Sequence, residues 1–285
     1  MAILEIKNLT FIYAPKTEQQ KIAVNDVSLT VDKGDFVGII GHTGSGKSTL
    51  VQLLNGLLKP SSGEIFLNGK NIWEDPKKIR DIRFKVGLVF QYPEYQLFEE
   101  TVEKDIAFGP RNMGLSDNEI AERVTMAADF VGLKPELLKK SPFELSGGEK
   151  RRAAIAGVVA MDPEILILDE PSAGLDPMGR DELLEQIRSY HERRQNTVLL
   201  VSHSMEDVAK FAKKVLVMSN GQKKFYDTTT AVFAHSEELE ALSLKVPQIT
   251  KIMHLLNKAG IAVDLNAMTV EQGFKSIQQL LKKNG

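Results

Sequence analysis

The segment Gly41-His-Thr-Gly-Ser-Gly-Lys47-Ser48 fits G-x-x-x-x-G-K-[ST] at every fixed position. Glycines at 41, 44 and 46 let the backbone curl, so that the N–H groups of His42, Thr43 and Ser45 point inward at phosphate oxygens. The helix that follows adds its positive end. Lys47 is expected to reach the β- and γ-phosphates, the Ser48 hydroxyl to ligate Mg²⁺, and Thr49 to complete the nucleotide contacts. A glycine-rich turn without a ligand is the plain alternative, and the setting between a strand and a helix argues against it. A second constellation is Ile165-Leu-Ile-Leu-Asp169-Glu170. An apolar strand that ends in two acids delivers them to the edge of the sheet where ligands collect in open α/β folds. Asp169 is expected to hold Mg²⁺ and Glu170 to accept a proton from, or orient, the water attacking the γ-phosphate. Two acids after a strand can also be a helix N-cap pair; beside a phosphate loop the catalytic reading is preferred.

These residues need a sheet to align them. Phe36-Val-Gly-Ile-Ile40, Ile165 to Leu168 and Val198 to Val201 are short apolar runs suited to strands buried on both faces, and Val215 to Met218 reads the same way. Ile3 to Ile6 and Val27 to Val31 read as strands of a hairpin with a loop at Ala14 to Lys21. Helical spacing begins at Ser48, recurs from Asp117 to Gly132, and is expected at about Gly148 to Met161 and Asp181 to Arg194. Strands alternating with helices indicate an α/β core around a largely parallel sheet. Beyond about Thr230 the character changes. Pro247 introduces an apolar stripe at Ile249, Ile252, Met253 and Leu256, and Thr269-Val-Glu-Gln272 has capping-box form before Val270, Phe274, Ile277 and Leu281.

Composition excludes several other chemistries. The 285 residues contain no cysteine, which removes disulfides, thiolate metal sites and cysteine nucleophiles. A net charge of −2 gives no general electrostatic reason to bind nucleic acid. No stretch approaches the roughly 20 apolar residues of a membrane helix, and Met1 to Lys7 lacks the layout of a secretory signal. The expectation is a soluble, intracellular protein.

Further motifs narrow the class. Leu145-Ser-Gly-Gly-Glu149 resembles the signature motif of ABC-transporter ATPases, with Glu149 where Gln is usual. Gln91 after Leu88-Val-Phe90 resembles their Q-loop glutamine, Ser172-Ala-Gly-Leu-Asp176 their D-loop, and His203 after Val198 to Ser202 their switch histidine. Tyr13 lies where the adenine-stacking aromatic is expected, although Phe11 is a neighbouring aromatic and either suits a core position. The resemblance implies a P-loop α/β cassette with an antiparallel β subdomain, a helical subdomain at about 92–150 and ATP with Mg²⁺ as ligands. It also implies head-to-tail pairing, in which Ser146, Gly147 and Gly148 grip the γ-phosphate of the partner's ATP. Gln91 would ligate Mg²⁺ or the attacking water, and His203 would sense the γ-phosphate.

The wording Phe90-Gln-Tyr-Pro-Glu94-Tyr-Gln-Leu-Phe98-Glu-Glu-Thr101, followed by Asp105-Ile-Ala-Phe-Gly-Pro110, resembles the second ATPase type of energy-coupling-factor transporters. That resemblance implies a nucleotide domain over 1–230 and a dimerising extension over 231–285. Its implied partners are a second related ATPase, with a second copy of this chain as the alternative, a transmembrane coupling protein docked between Gln91 and Phe108, and a substrate-binding membrane subunit for vitamins or other micronutrients. The place of work would be the cytoplasmic face of the cell membrane. The alternative is a soluble ABC ATPase of the iron–sulfur assembly type. Repair-type relatives need a long coiled-coil insertion, for which Gln91 to Leu145 is too short.

Overall fold

The computed structural model describes residues 1–284. Two sheets form the frame. The first is antiparallel and contains β1 (Ala2–Tyr13), β2 (Lys21–Asp32), β4 (Ser62–Leu67) and β5 (Lys70–Asn71), in the order β2-β1-β4-β5. The second contains β3 (Phe36–Ile40), β6 (Val86–Val89), β7 (Ile165–Asp169), β8 (Thr197–Val201), β9 (Lys214–Ser219) and β10 (Gln222–Thr228). Its order is β10-β9-β3-β8-β7-β6. All its pairings are parallel except β10 with β9.

The expectation of strands buried on both faces holds for a specific reason. Successive residues of one strand enter different cores: Val198 and Leu200 pack among the helices, while Leu199 and Val201 pack toward the antiparallel sheet. Period-2 alternation between two apolar layers is what turns a strand into an unbroken apolar run. The layer beneath the antiparallel sheet includes α1 (Lys47–Leu54), and α2 (Ile79–Lys85) touches β6 nearby. The helical layer holds α3 (Val102–Asn112), α4 (Asp117–Phe130), α5 (Gly147–Val159), α6 (Pro177–Arg194) and α7 (Met205–Phe211).

The first hairpin is longer than its apolar residues suggest, because the polar positions of β1 and β2 point outward from a half-buried sheet. The core also does not stop at residue 230. That position lies inside α8 (Thr229–Ala234), which is followed by α9 (Ser236–Ala241). Val232, Phe233, Leu239, Leu244 and Val246 are buried in the helical layer, with Phe233 and Leu239 fully enclosed. The segment beyond Val246 is a pair of helices, α10 (Gln248–Lys258) and α11 (Val270–Asn284). Met253 and Ala267 are buried there, Thr250 Oγ1 donates to the Ala267 carbonyl at 3.1 Å, and Gly273 allows close contact with Ile249. Among the described residues no helix is long and apolar enough to cross a membrane.

Candidate nucleotide site

Strand order assembles the site. Ile39 pairs with Val201, and Val201 pairs with Asp169, so the ends of β3, β8 and β7 lie level. The phosphate loop, His203 and the Asp169–Glu170 pair therefore emerge side by side at the C-terminal edge of the parallel sheet. Backbone bonds extend the alignment past the strands: Glu170 N–H donates to Val201 at 3.1 Å, and Ser202 N–H to Ile39 at 3.3 Å. Gln91 follows β6, the next strand over, and is exposed.

The phosphate loop is closed around its lysine. Lys47 Nζ donates to the Gly41 and His42 carbonyls at 2.7 and 3.2 Å. Burial lowers the Lys47 ammonium below its ordinary range, while the negative charges of Glu170 and Asp169 act the other way. Gly46 has φ 102°, and a Cβ there would stand 2.2 Å from the Ala23 carbonyl oxygen, so only glycine fits. His42 is tethered through Nδ1 to the Thr43 carbonyl at 2.9 Å, and Thr43 and Gly44 are exposed. Ser45 Oγ is buried without a hydrogen-bonding partner among the described residues. Thr49 Oγ1 stands 3.2 Å from the Tyr13 hydroxyl, and Tyr13 is 40% exposed, whereas Phe11 packs against the core beneath it. Tyr13 is thus the aromatic that faces the shallow cavity bounded by Lys21, Gly44, Lys47, Ser48 and Thr49.

The acids are set apart by their surroundings. Asp169 is buried; burial raises its carboxyl, while the Ser48 hydroxyl, Lys47 and His203 pull it down. Glu170 adopts φ 52°, an uncommon conformation for a non-glycine residue. Burial pushes its carboxyl up to about 7; the backbone N–H of His203 opposes the rise, and Asp169 adds to it. Glu170 Oε1 is buried with no hydrogen bond among the described residues and lies 3.4 Å from His203 Nε2. Burial and nearby Lys47 lower the His203 imidazole, so this contact is not a strong ion pair at neutral pH. A buried carboxylate oxygen turned away from protein donors has its lone pairs free to orient a water or bind a ligand group. Ser48, Asp169 and Gln91 offer oxygen donors only, a set that suits a hard cation. No cluster of three His, Cys, Asp or Glu side chains able to hold a metal occurs among the described residues.

The signature residues stand apart from this edge. Ser146 caps α5, its Oγ donating to Glu149 Oε2 at 2.7 Å, and its N–H donates to the same oxygen at 2.8 Å. The departure from Gln is therefore a working capping box. A Cβ on Gly147 or Gly148 would meet nothing within 4 Å, so the start of α5 is open to an external group.

Two arginine clamps escaped the sequence reading. Arg180 Nε donates to both Asp207 carboxylate oxygens at 3.1 and 2.9 Å, and its Nη2 bonds Ser204, which ties α6 to the loop carrying His203. Arg151 joins Glu94 to the turn after Glu170. Neither forms a local motif, because each pairs residues distant in sequence.

Fold and site together define an ATP-hydrolysing P-loop cassette. The family model described as ABC transporter matches residues 24–173. The energy-coupling factor transporter ATP-binding protein EcfA2 of Caldanaerobacter subterraneus subsp. tengcongensis is 52% identical over 279 residues, covering 98% of each chain. The protein of that name from Clostridium perfringens is 52% identical over 282 residues, covering 99% of each. Among solved structures, cbiO1 of Clostridium perfringens, described as part of the ABC transporter complex cbiONQ, aligns with a TM-score of 0.75 and 37% identity over 89% of this chain and 99% of its own. A dimeric post-hydrolysis state of the cassette MJ0796 with ADP and Pi aligns at 0.71 and 27%, over 79% and 98%. The chain belongs to the ABC transporter family and, within it, to the ATP-binding subunits of energy-coupling factor transporters. These relatives favour the transporter reading over the iron–sulfur assembly alternative.

Proposed function

We propose that the chain hydrolyses ATP as one half of an ATPase pair that drives uptake of a vitamin or similar micronutrient. Its work is done at the cytoplasmic face of the membrane, against a transmembrane coupling protein that carries a substrate-binding membrane subunit. The observation that carries the hydrolytic part is the unpartnered, buried Oε1 of Glu170, 3.4 Å from His203 and level with the phosphate loop. Tyr13 stacks on the adenine, and residues 41–49 wrap the phosphates. Lys47 neutralises the β- and γ-phosphates, Glu170 orients and deprotonates the attacking water, and His203 steadies the γ-phosphate. Ser48, Asp169 and Gln91 would hold Mg²⁺, whose charge offsets that of the phosphate oxygens. Ser146, Gly147 and Gly148 contact the partner's ATP; the open start of α5 supports this.

Its partner is a second ABC cassette, a related ATPase being favoured by the family resemblance and a second copy of this chain being the alternative; the dimeric cassette MJ0796 supports pairing of such cassettes. The membrane partner meets a cavity of about 380 Å³ lined by Phe84, Leu97, Phe98, Phe108, Gly157 and Met161. Phe98 and Phe108 are exposed with their rings 5.0 Å apart, and Asp105 braces the rim by accepting the N–H groups of Phe98 and Glu99. Exposed aromatics around a cavity are apt for an entering helix. Glu170→Gln is expected to bind ATP with unchanged affinity while turnover falls by roughly a hundredfold or more. Normal turnover in that variant overturns the assignment. Purification from membranes in mild detergent should bring hydrophobic subunits with the chain; recovery as a lone soluble monomer counts against the transport role.

A further inference from the structure

We infer that Arg151 is a positioning residue that locks the groove-lining segment after Gln91 to the turn after Glu170, so that the two move as one body with α5. Its side chain is buried, and the guanidinium spends every edge on a separate tie. Nε and Nη2 grip the Glu94 carboxylate at 3.0 and 2.7 Å, a two-pronged ion pair. Nη1 donates to the carbonyls of Pro171, at 3.4 Å, and Ala173. The Tyr92 ring lies 5.9 Å over the guanidinium, with Tyr92 itself held at φ 55°. Glu94 and Arg151 are 57 residues apart, and Arg151 and Ala173 are 22 apart, so a single planar group closes two long loops.

The placement of these ties gives them a consequence. Glu94 sits on the segment that leads through Leu97 and Phe98 into the exposed aromatic groove. Pro171 directly follows Glu170, whose carbonyl accepts the Ala173 N–H at 3.1 Å. Displacement of the groove segment therefore pulls on the turn that aims the Glu170 carboxylate. A buried ion pair is seldom worth its desolvation as stability alone, because an apolar pair of similar volume often serves as well. What the fork supplies is fixed geometry. Lysine, a point charge with no fork, cannot supply it.

The inference rests on Glu170 as the hydrolytic carboxylate, and its test separates the two readings. Glu94→Gln, Arg151→Lys and Arg151→Met would be made in the full chain purified with its associated subunits. ATP turnover and amide hydrogen exchange over residues 170–176 would then be measured. Glu94→Gln is nearly isosteric, so it should fold even if Arg151→Met does not. It is expected to lower kcat by about 10- to 100-fold with KM for ATP unchanged. It should also speed exchange of the 172–176 amides several-fold, and Arg151→Lys should behave like it. The double variant combining Glu94→Gln with Arg151→Met should be no worse than Arg151→Met alone. Unchanged exchange at 172–176 in Glu94→Gln overturns the mechanical link, whatever the activity. A rise in KM without a fall in kcat, or wild-type kcat in Arg151→Lys, overturns the positioning role. Failure of the Glu170 assignment shows instead as normal turnover in Glu170→Gln and leaves the exchange result standing.

Discussion

At the residue scale, the site depends on atoms that have no alternative partner or position. Gly46 shows this most directly. A methyl group there meets the Ala23 carbonyl oxygen at 2.2 Å, and that oxygen is backbone, so the loop itself must shift. Gly44 also has a positive φ, 80°, but its added Cβ meets nothing within 4 Å. Gly44→Ala is therefore expected to cost only its backbone strain, about 1 kcal/mol. Gly46→Ala should weaken ATP binding by about 1–3 kcal/mol or more, roughly 5- to 150-fold. Fluorescence titration with a nucleotide analogue would compare them; equal affinities would remove the steric argument. Glu94 makes a pH-dependent prediction. Burial alone raises its carboxyl, but the hydrogen bonds from Arg151 and from its own backbone N–H, with the guanidinium charge, hold it below its ordinary 4.5. A lowered folded-state value means stability that is complete above about 4.5 and lost as pH falls through the folded-state value. Glu94→Gln should lack that part of the acid transition, so its melting temperature should approach that of the unaltered chain as pH drops below 4.5. Parallel melting curves across that range would refute the ion pair's share.

At the element scale, the first turn of α5 is stabilised by a short side-chain device. Ser146 and Glu149 satisfy each other's backbone N–H groups, and the Ser146 hydroxyl also donates to the carboxylate. Ser146→Ala is expected to destabilise the chain by about 1 kcal/mol, whereas Glu149→Gln keeps a box-competent amide and should stay within about 0.5 kcal/mol. Urea unfolding at constant m-value would measure both, and equal losses would mean that the box does not stabilise the helix. Elements of this kind were legible because capping and patterning are local. So were β3, β7 and β8, whose burial between two apolar layers leaves only the terminal Asp169 and Thr197 polar. Strand β10 was not legible: Gln222-Lys-Lys-Phe-Tyr-Asp-Thr228 is mostly exposed at the sheet edge and carries no apolar run. Nor were α8 and α9, each too short for a helical period to repeat, though Phe233 and Leu239 anchor them in the core. The phosphate loop, the Asp169–Glu170 pair and His203 were visible because each sits at a strand end in a compact motif. Arg151 and Arg180 were hidden because their partners are set by topology, not by spacing.

At the scale of the whole molecule, the open question is what covers the C-terminal helix pair. Its inner face is settled: Met253 is fully buried and Ala267 is nearly so. Its outer face is not covered by the described residues. Leu255 on α10 is 59% exposed, and Phe274 and Leu281 on α11 are 63% and 71% exposed. Three large apolar side chains exposed on one helix pair fit the dimerising role that the family resemblance implies for this extension. Pairing with a second ATPase would bury them, each contributing on the order of 1.5–3 kcal/mol. Phe274→Glu is therefore expected to weaken subunit association by at least about tenfold, because it removes that burial and places a charge in the seam. The folded subunit should hardly notice, since exposed substitutions usually stay within about 0.5 kcal/mol. Met253→Glu, in the covered face, should instead unfold the extension itself. Sedimentation of the nucleotide-free complex, alongside thermal melting of each variant, separates the cases. Association unchanged in Phe274→Glu would mean that the outer stripe faces something other than the partner ATPase. The pairing would then rest on the nucleotide interface alone.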